Sequence, residues 1–130
     1  IGNDAFSGCT SLTTITIPAS VTRIGSSAFS SCVSLKSVTM TSAVESIGEH
    51  TFSRCTSLAT VTLPEGIKSI GNNAFGECIS LTSAVIPRSV TSIDYYAFTR
   101  CPLLTSVTIS RNCQVKEHAF PDTTQINYYD

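Results

Sequence analysis

The side chains of this sequence that could bind a metal or act in catalysis are its two histidines, its six cysteines and a few neighbouring carboxylates. His50 and His118 are expected three repeats apart, or about 14 Å, which is too far for one metal ion with bonds of about 2.0–2.1 Å. His50 is near Cys55 in sequence. A cysteine nucleophile needs a base within hydrogen-bond reach, however, and we expect this thiol to face the core and the imidazole to face solvent. Both histidines are therefore predicted to be solvated turn residues, and no metal site is predicted.

Carboxylate pairs and phosphate-binding loops are equally weak candidates. General acid–base catalysis needs a site that tunes the pKa of one carboxylate, whereas Glu45 and Glu49 are expected on an exposed strand and turn. The recurring glycines stand singly, so the sequence contains no glycine-rich phosphate loop. We therefore predict no catalytic residues, no cofactor and a protein that is not an enzyme.

The elements that must position all of these residues come from a repeat with a period of about 23 residues. Ile24, Phe29, Cys32 and Leu35 define its main columns, and each is matched at the same position of the next copy. A fixed period of this length is typical of a solenoid, in which each repeat stacks only on its neighbours. The other members of the columns are Ile47, Phe52, Cys55 and Leu58, then Ile70, Phe75, Cys78 and Leu81, then Ile93, Phe98, Cys101 and Leu104, and, in an earlier copy, Ile1, Phe6, Cys9 and Leu12.

Each repeat is predicted to contain two short strands and one helical turn. The pattern L-x-x-I-x-I alternates, so Ile15 and Ile17 should face the core while the threonines beside them face solvent. A turn follows, with Pro in three copies and Thr41 or Ser110 in two others, and the next pattern, V-x-x-I, predicts a second short extended segment. The recurring glycine, replaced by Asp94 in one copy, is predicted to be left-handed. The pattern A-F-x-x-C is predicted to form a single helical turn that depends on stacking for its stability.

Five of the six cysteines fall in one column, and Cys113 lies outside it. Parallel side chains that stack about 5 Å apart rarely have the geometry of a disulfide bond, and an odd number of thiols does not pair off. We therefore predict buried free thiols that pack as small apolar side chains. The five residues are Cys9, Cys32, Cys55, Cys78 and Cys101.

The C-terminal part departs from the regular period. One residue is missing around 113–115 relative to the earlier repeats. Ile126 follows the last recurring phenylalanine at the spacing of the repeat leucines, which predicts a sixth, terminal strand at Gln125–Tyr129 whose tyrosines cover the last repeat. We thus predict a single solenoid domain over 1–130, with five full repeats and a partial repeat or cap at about 110–130. Because the sequence opens in the middle of a repeat, we expect it to be a piece of a longer protein.

The composition argues against nucleic-acid and membrane partners. The formal net charge is −1, and the eight Lys and Arg residues are scattered without a basic run. No apolar run approaches the roughly 18 residues that a membrane span needs. Charged residues make up only 13% of the chain, so we expect a surface rich in Ser and Thr hydroxyls.

The combined pattern L-x-x-I-x-I-P-x-x-V-x-x-I-G-x-x-A-F-x-x-C resembles that of the BspA-like (treponemal-type) leucine-rich repeat family along nearly the whole chain. Departures fall at Thr51, at Asp94 and in the shortened last repeat. The resemblance implies a right-handed leucine-rich-repeat solenoid with a concave parallel β-sheet, and with short strands and single helical turns on the other side. It also implies an extracellular or cell-surface location and, as for several members of the family, adhesion to host cells, matrix proteins or other microbes. The family has no shared catalytic residues.

The outward side of the main strands is the candidate binding face. Nine of its ten residues carry hydroxyls. The preference of threonine for exposed strands and the need for solubility are enough to explain this composition. The functional alternative is that the residues form a flat, weakly charged docking face. An ice-binding face would also present parallel columns of threonine, but the curvature of the sheet and the break at Val85 argue against it. The two columns are Thr14, Ser37, Thr60, Ser83 and Ser106, beside Thr16, Thr39, Thr62, Val85 and Thr108.

A second candidate is an anchor patch formed by Tyr95, Tyr96 and Arg100. Tyrosine and arginine are common among interaction hot spots, although these three side chains would also suit an exposed turn that binds nothing. We predict a non-catalytic protein-binding or adhesion module of a cell-surface or secreted protein, with a protein or another host-surface ligand as its partner. The alternative is a structural spacer that presents another domain.

Overall fold

The computed structural model describes residues 1–40 and 43–130, which form a solenoid of stacked turns, here called rungs. Each main strand comes from the L-x-x-I-x-I pattern, and four rungs also contain a short second strand from the segment that follows. Thr41, one of the predicted turn residues, lies outside the described residues. In chain order the strands are β1 (Thr14–Ile17), β2 (Ser37–Met40), β3 (Ser46–Ile47), β4 (Thr60–Thr62), β5 (Ser69–Ile70), β6 (Ser83–Val85), β7 (Ser92–Ile93), β8 (Ser106–Ile109), β9 (Gln114–Val115) and β10 (Gln125–Tyr128).

The described strands pair in parallel, and their register follows the repeat. Main strands pair as β1–β2, β4–β6 and β8–β10, and the second strands form one sheet in the order β3-β5-β7-β9. Ile15 lies opposite Val38, and Val61 lies opposite Ala84, so that the two members of each pair are one full period apart. Alternating β-branched residues suit a strand with one buried face. The predicted parallel solenoid with this period is therefore confirmed.

A continuous stack of phenylalanine rings runs through the core along the solenoid axis. Neighbouring ring centroids lie 5.0–5.4 Å apart, and their planes differ by only 5–12°. The four interior rings are fully buried, whereas Phe6 in the first rung is 37% exposed and Phe120 in the last is half-buried. Each rung thus buries its ring only by stacking on its neighbours, as the column spacing predicted. The complete stack consists of Phe6, Phe29, Phe52, Phe75, Phe98 and Phe120.

The turn segment of each rung, such as residues 25–32, is a series of tight turns rather than the predicted helical turn. The N–H of Ala28 donates to the carbonyl of Gly25 at 3.3 Å, but the N–H of Phe29 donates to the carbonyl of Thr51 in the next rung at 2.9 Å. Ser27 is left-handed, with φ 57°, which directs alternate N–H groups out of the segment. A helix would use these donors internally, so the prediction of single helical turns is wrong. The described part of the chain contains no helix long and apolar enough to cross a membrane.

The recurring glycine serves close packing of the backbone. Gly25, Gly48 and Gly71 do not have positive φ, so the prediction that they are left-handed is wrong. At Gly71 an added Cβ would lie 2.9 Å from the backbone nitrogen of Glu49 in the preceding rung, closer than real Cβ atoms approach other atoms. At Gly48 the nearest atom would be 3.4 Å away, at a side-chain hydroxyl. The approach of neighbouring rungs therefore excludes a side chain at Gly71 more strictly than at Gly48.

The shortened repeat is accommodated immediately after Cys113. The N–H of Cys113 donates to the carbonyl three positions earlier, as the N–H of Val90 does one rung before, so Cys113 occupies the same position one full period later. Gln114 then pairs with Ser92, which is one position short of a full period. The missing residue falls where the sequence predicted it, around 113–115.

The last main strand is present, but the register predicted for it is wrong. β10 ends at Tyr128 rather than Tyr129, and Ile126 lies opposite Val107 instead of taking the leucine position of the repeat. The offset between β8 and β10 is four positions shorter than a full period. One position comes from the residue missing around 113–115, and three come from the shorter connection between Phe120 and the strand. Tyr129 reaches back toward earlier rungs instead of covering the last one, and its hydroxyl donates to the carbonyl of Ile86 at 2.8 Å.

Candidate binding surfaces

The ten residues predicted as a binding face form one surface, here called the hydroxyl face. Their side chains alternate with buried ones along the main strands. Parallel pairing aligns them between β1 and β2 and between β4 and β6, and β2 contacts β4 as β6 contacts β8, so the repeat places them in two columns. Nine of the ten are exposed, and Thr108 is half-buried. The hydroxyl face consists of Thr14, Ser37, Thr60, Ser83 and Ser106 in one column and Thr16, Thr39, Thr62, Val85 and Thr108 in the other.

The corrected register of β10 extends both columns by one residue. Gln125 lies opposite Ser106, and Asn127 lies opposite Thr108. The amide nitrogen Nε2 of Gln125 donates to Oδ1 of Asn127 at 3.1 Å, so the two carboxamides are linked at the end of the face. The hydroxyl face therefore continues into an amide-bearing strand that carries no charge.

An aromatic side chain that the sequence did not indicate borders the hydroxyl face. Tyr129 lines a hollow between β6 and β8, together with Ser83, Val85 and other residues of these strands. The guanidinium of Arg88 lies over the Tyr129 ring at 4.6 Å from its centroid and donates to the carbonyl oxygen of Asp130 at 2.7 Å. This tyrosine–arginine pair has the residue types of an interaction hot spot. Its location depends on the shortened offset of β10, which the repeat pattern does not predict.

The predicted anchor patch lies on one turn segment, with each member in a different environment. Tyr95 and Tyr96 are each 43% exposed. The Tyr96 ring stacks on the ring of His118 in the next rung, with centroids 5.5 Å apart, and Nη1 of Arg100 lies 3.5 Å from a carboxylate oxygen of Glu77. The structure thus brings the three predicted residues together and adds His118, which the sequence predicts only as a solvated turn residue.

Two columns of left-handed residues run along the turn segments, four residues apart in each rung. The first left-handed column has φ between 54° and 60°. Five of its six residues are Asp, Asn, Ser or His, and of these types Asn, Asp and His tolerate a left-handed backbone better than most residues. The second is less usual, because arginine and glutamate occupy it at an expected cost of about 1–2 kcal/mol each. The first column is Asp4, Ser27, His50, Asn73, Tyr96 and His118; the second is Gly8, Ser31, Arg54, Glu77 and Arg100.

The second left-handed column carries a ladder of alternating charge. Glu77 lies between two arginines, with Nε of Arg54 at 3.3 Å from one carboxylate oxygen and Nη1 of Arg100 at 3.5 Å from the other. The arginine side chains are 64% and 77% exposed, so these ion pairs are expected to add little stability. Their main effect is to fix three polar side chains along the turn side of the solenoid.

Of the histidines and carboxylates considered for catalysis, His50 and Glu49 approach each other, but the thiol of Cys55 is not near them on the surface. His50 is part-exposed, with Nε2 3.8 Å from a carboxylate oxygen of Glu49, whereas the Cys55 side chain is fully buried in the core. Glu45 and Glu49 are both exposed. Among the described residues, no group of three or more His, Cys, Asp or Glu side chains could hold a metal ion.

The four interior thiols of the cysteine column are buried and free, and each has a hydrogen-bond acceptor. Sγ of Cys55 donates to the carbonyl of Phe29 in the preceding rung at 3.2 Å, and Cys32, Cys78 and Cys101 make the same contact with the preceding phenylalanines. These four thiols are free and buried, as predicted, while Cys9 in the first rung is half-buried. These four thiols therefore donate specific hydrogen bonds and also fill space in the apolar core.

Burial also makes these thiols weak acids. Desolvation raises the pKa of Cys55 and of Cys101 to about 12, and it raises the pKa of Cys32 and Cys78 as well. A nucleophilic cysteine needs a lowered pKa, since the thiolate is the reactive form. The environment that packs these four thiols thus keeps them protonated at neutral pH.

A parallel solenoid with a phenylalanine stack, a cysteine column and a hydroxyl-bearing strand face defines a leucine-rich-repeat protein. The sequence pattern of the BspA type leucine rich repeat region matches residues 1–128 in 6 copies. The chain therefore belongs to the BspA-type leucine-rich repeat family. No curated protein is significantly similar to it.

Solved bacterial leucine-rich repeat proteins share this fold. A leucine rich cell surface protein from Faecalibacterium prausnitzii is 36% identical, with a TM-score of 0.82 over 85% of this chain and 29% of its own. The T. pallidum Leucine Rich Repeat protein is 30% identical, with a TM-score of 0.81 over 97% of this chain and 65% of its own. A leucine-rich repeat protein from Eubacterium ventriosum is 28% identical, with a TM-score of 0.87 over 99% of this chain and 35% of its own. The chain spans less than two thirds of each of these structures.

Proposed function

We propose that the chain is a non-catalytic protein-binding module that serves adhesion in a cell-surface or secreted protein, and that the hydroxyl face is its binding surface. The observation that carries the proposal is the alignment of ten mostly exposed, uncharged residues in two columns across the rungs. Membership of the BspA-type family and the similarity to a protein described as a cell surface protein support the location.

The physical character of the hydroxyl face favours adaptable, moderate binding. Ser and Thr hydroxyls can donate and accept hydrogen bonds, and the face carries no charge that would have to be desolvated. The five main strands that carry the face contain three or four residues each, and at about 4.8 Å spacing they give an area on the order of 250 Å². A standard stable interface buries about 800 Å² from each partner. We therefore expect weak binding by one copy, and avidity when more rungs or several copies engage together.

The test is binding of the chain to cultured epithelial cells and to a panel of purified extracellular-matrix proteins, measured by flow cytometry and by surface plasmon resonance. Replacing Thr39 and Thr62 together by lysine should remove binding, because two charges then interrupt the centre of the face. The matched control places the same charges at Thr22 and Ser46, which are exposed outside the hydroxyl face. If the control variant loses binding as fully as the face variant, the hydroxyl face is not the binding surface.

A structural spacer is the second candidate, and the continuous phenylalanine stack favours it. Six rings in contact make each rung depend on its neighbours, which is suited to holding another domain at a fixed distance. A spacer predicts that the chain binds none of the cells or matrix proteins in the panel, even when it is presented as a multivalent array on beads.

A further inference from the structure

Two arginines follow the main strands β6 and β8, at the border of the hydroxyl face. Arg88 and Arg111 are one full period apart in sequence, and both residues are exposed. Neither guanidinium forms an ion pair with any residue in the described part of the chain. Arginine keeps its charge at all ordinary pH values and binds a carboxylate through two parallel hydrogen bonds. Both charges are therefore available to an anionic group of a partner.

Two tyrosines of the last rung hold these arginines in position. The guanidinium of Arg88 lies 4.6 Å from the centroid of the Tyr129 ring. That of Arg111 lies 5.5 Å from the centroid of the Tyr128 ring. Arg88 also donates through Nη1 to the carbonyl oxygen of Asp130 at 2.7 Å, and its other N–H groups have no acceptor among the described residues. A guanidinium that is already stacked on a ring loses less conformational freedom when it binds a carboxylate.

A hollow of the hydroxyl face lies beside this arginine pair. Tyr129 lines it together with residues of β6 and β8, among them the hydroxyl-bearing Ser83 and Ser106. Val85 also lines it, is 46% exposed, and is the one apolar member of the hydroxyl face. Removing apolar surface from water is favourable. The hollow therefore suits one apolar side chain of a partner, with hydroxyls around it for the main chain of that partner.

The charges near the arginines favour a short acidic segment over a polyanion. Glu65 holds the position of Arg88 one rung earlier and is exposed, so the positive charge does not continue toward the N-terminal rungs. A nucleic acid or a sulfated polysaccharide is bound by a longer stripe of cations along its path. Two guanidiniums beside a hollow for one apolar side chain match a pair of carboxylates next to an apolar residue, which a peptide supplies.

We infer that the hydroxyl face binds an extended, acidic peptide segment of its partner at this place, here called the arginine corner and formed by Arg88, Arg111, Tyr129 and Val85. Two carboxylates of the segment bind the two guanidiniums, and one apolar side chain enters the hollow against Val85. The arginine corner adjoins the hydroxyl face, so this site rests on the proposed function and gives the chemistry of the partner.

The experiment titrates the chain with acetylated and amidated octapeptides, using isothermal titration calorimetry and amide NMR shifts. The test peptide carries one leucine followed by two aspartates among serines. One control has two asparagines in place of the aspartates, and another has serine in place of the leucine. We expect the test peptide to bind about fivefold more tightly than either control, with shifted amide signals at residues 83–88 and 106–111. Equal binding of a control, no binding at millimolar concentration, or binding of heparin without the test peptide overturns the inference.

Three variants test the residues of the arginine corner. Arg88→Gln combined with Arg111→Gln should weaken binding of the test peptide about tenfold. Arg88→Glu combined with Arg111→Glu should reverse the preference, so that a peptide with two lysines in place of the aspartates binds better, which a misfolded variant would not do. Val85→Thr replaces one methyl group by a hydroxyl and should weaken binding about threefold.

The matched control for charge combines Arg23→Gln with Lys68→Gln. It removes the same two positive charges from exposed positions outside the hydroxyl face, so it should leave the affinity for the test peptide unchanged. A loss as large as in the double glutamine variant, or an unchanged preference in the double glutamate variant, overturns the arginine corner.

The panel of cells and matrix proteins distinguishes failure of this site from failure of the proposed function. If a panel protein binds the double glutamine variant as well as the wild type, but not the variant with lysine at Thr39 and Thr62, the hydroxyl face is the binding surface and the arginine corner is overturned. If the wild type binds the test peptide but nothing in the panel, adhesion is overturned and the acidic-peptide site stands.

Discussion

Removing one ring from the middle of the phenylalanine stack should destabilise the protein far more than removing one at its end. Phe52 is fully buried and lies between two parallel rings, each with its centroid 5.4 Å away. Phe52→Ala loses the transfer free energy of the ring, creates a cavity and breaks two aromatic contacts, for an expected total of about 4 kcal/mol. Phe6 keeps 37% of its surface exposed and stacks on one ring only. Phe6→Ala should therefore cost about 2 kcal/mol.

The assay is urea unfolding followed by circular dichroism on the wild type and both variants. With a slope of about 2 kcal/mol per molar urea, Phe52→Ala should lower the midpoint by about 2 M and Phe6→Ala by about 1 M. Phe52→Leu is a useful control, because it keeps most of the apolar volume and removes only the ring. Equal midpoint losses at Phe52 and Phe6 would refute a stacked, one-dimensional core, since every rung would then depend on the whole molecule.

Three further predictions concern the thiols, the close-packed glycine and the C-terminal tyrosine. Cys55 and Cys101 should not react with a thiol reagent in native protein at pH 8 but should react after unfolding. Because their pKa is raised from 9.0 to about 12, their contribution to the free energy of unfolding is complete below pH 9 and falls by about 1.4 kcal/mol per pH unit for each thiol between pH 9 and 12. Urea unfolding midpoints measured at pH 8 and at pH 10 would check this decrease. Gly71→Ala should cost about 1–3 kcal/mol in the same unfolding assay because its Cβ would meet backbone at 2.9 Å, whereas Gly48→Ala should be nearly neutral. Tyr129→Phe removes one part-buried hydrogen bond and should cost about 1 kcal/mol in the same assay.

The repeat made most of the fold predictable because it fixes which residues share a column. Once Phe29 and Phe52 are known to be one period apart, stacking in register follows, and the alternation around Ile15 determines which side chains form the hydroxyl face. The candidate face and anchor patch were found in this way, since both are strand or turn residues at repeated positions. Their role in binding stays a prediction.

The backbone of the turn segments was not predictable from residue preferences alone. Glycine suggested a left-handed position at Gly71, but the left-handed residue is Asn73, two positions later. The glycine is required because the backbone of the preceding rung packs closely against it. The pattern of a single repeat does not show this contact, since the contact lies between two repeats. Likewise A-F-x-x-C has the spacing of a helical turn, but inter-rung hydrogen bonds, such as that from the N–H of Phe29 to the carbonyl of Thr51, replace half of the helical ones.

The end of the chain was predicted least well, and the reason is the loss of the fixed period. Ile126 fits the leucine position if the connection after Phe120 keeps its usual length, and it fits the valine position if that connection is shorter. The pairing of Ile126 with Val107 shows the second arrangement. Only the three-dimensional register decides between them, and the position of Tyr129 beside the hydroxyl face follows from that register.

The uniform contacts between rungs have a consequence for how such a protein can change its length. Every interior rung offers its neighbours the same thiol donor, the same ring and the same turn carbonyls. Unequal crossing-over that adds or deletes one whole repeat within the regular interior would regenerate each of these contacts, while any other interval would misalign them all. Genes of this kind can therefore lengthen or shorten the protein in steps of one rung, about 4.8 Å each, without selecting a single new residue.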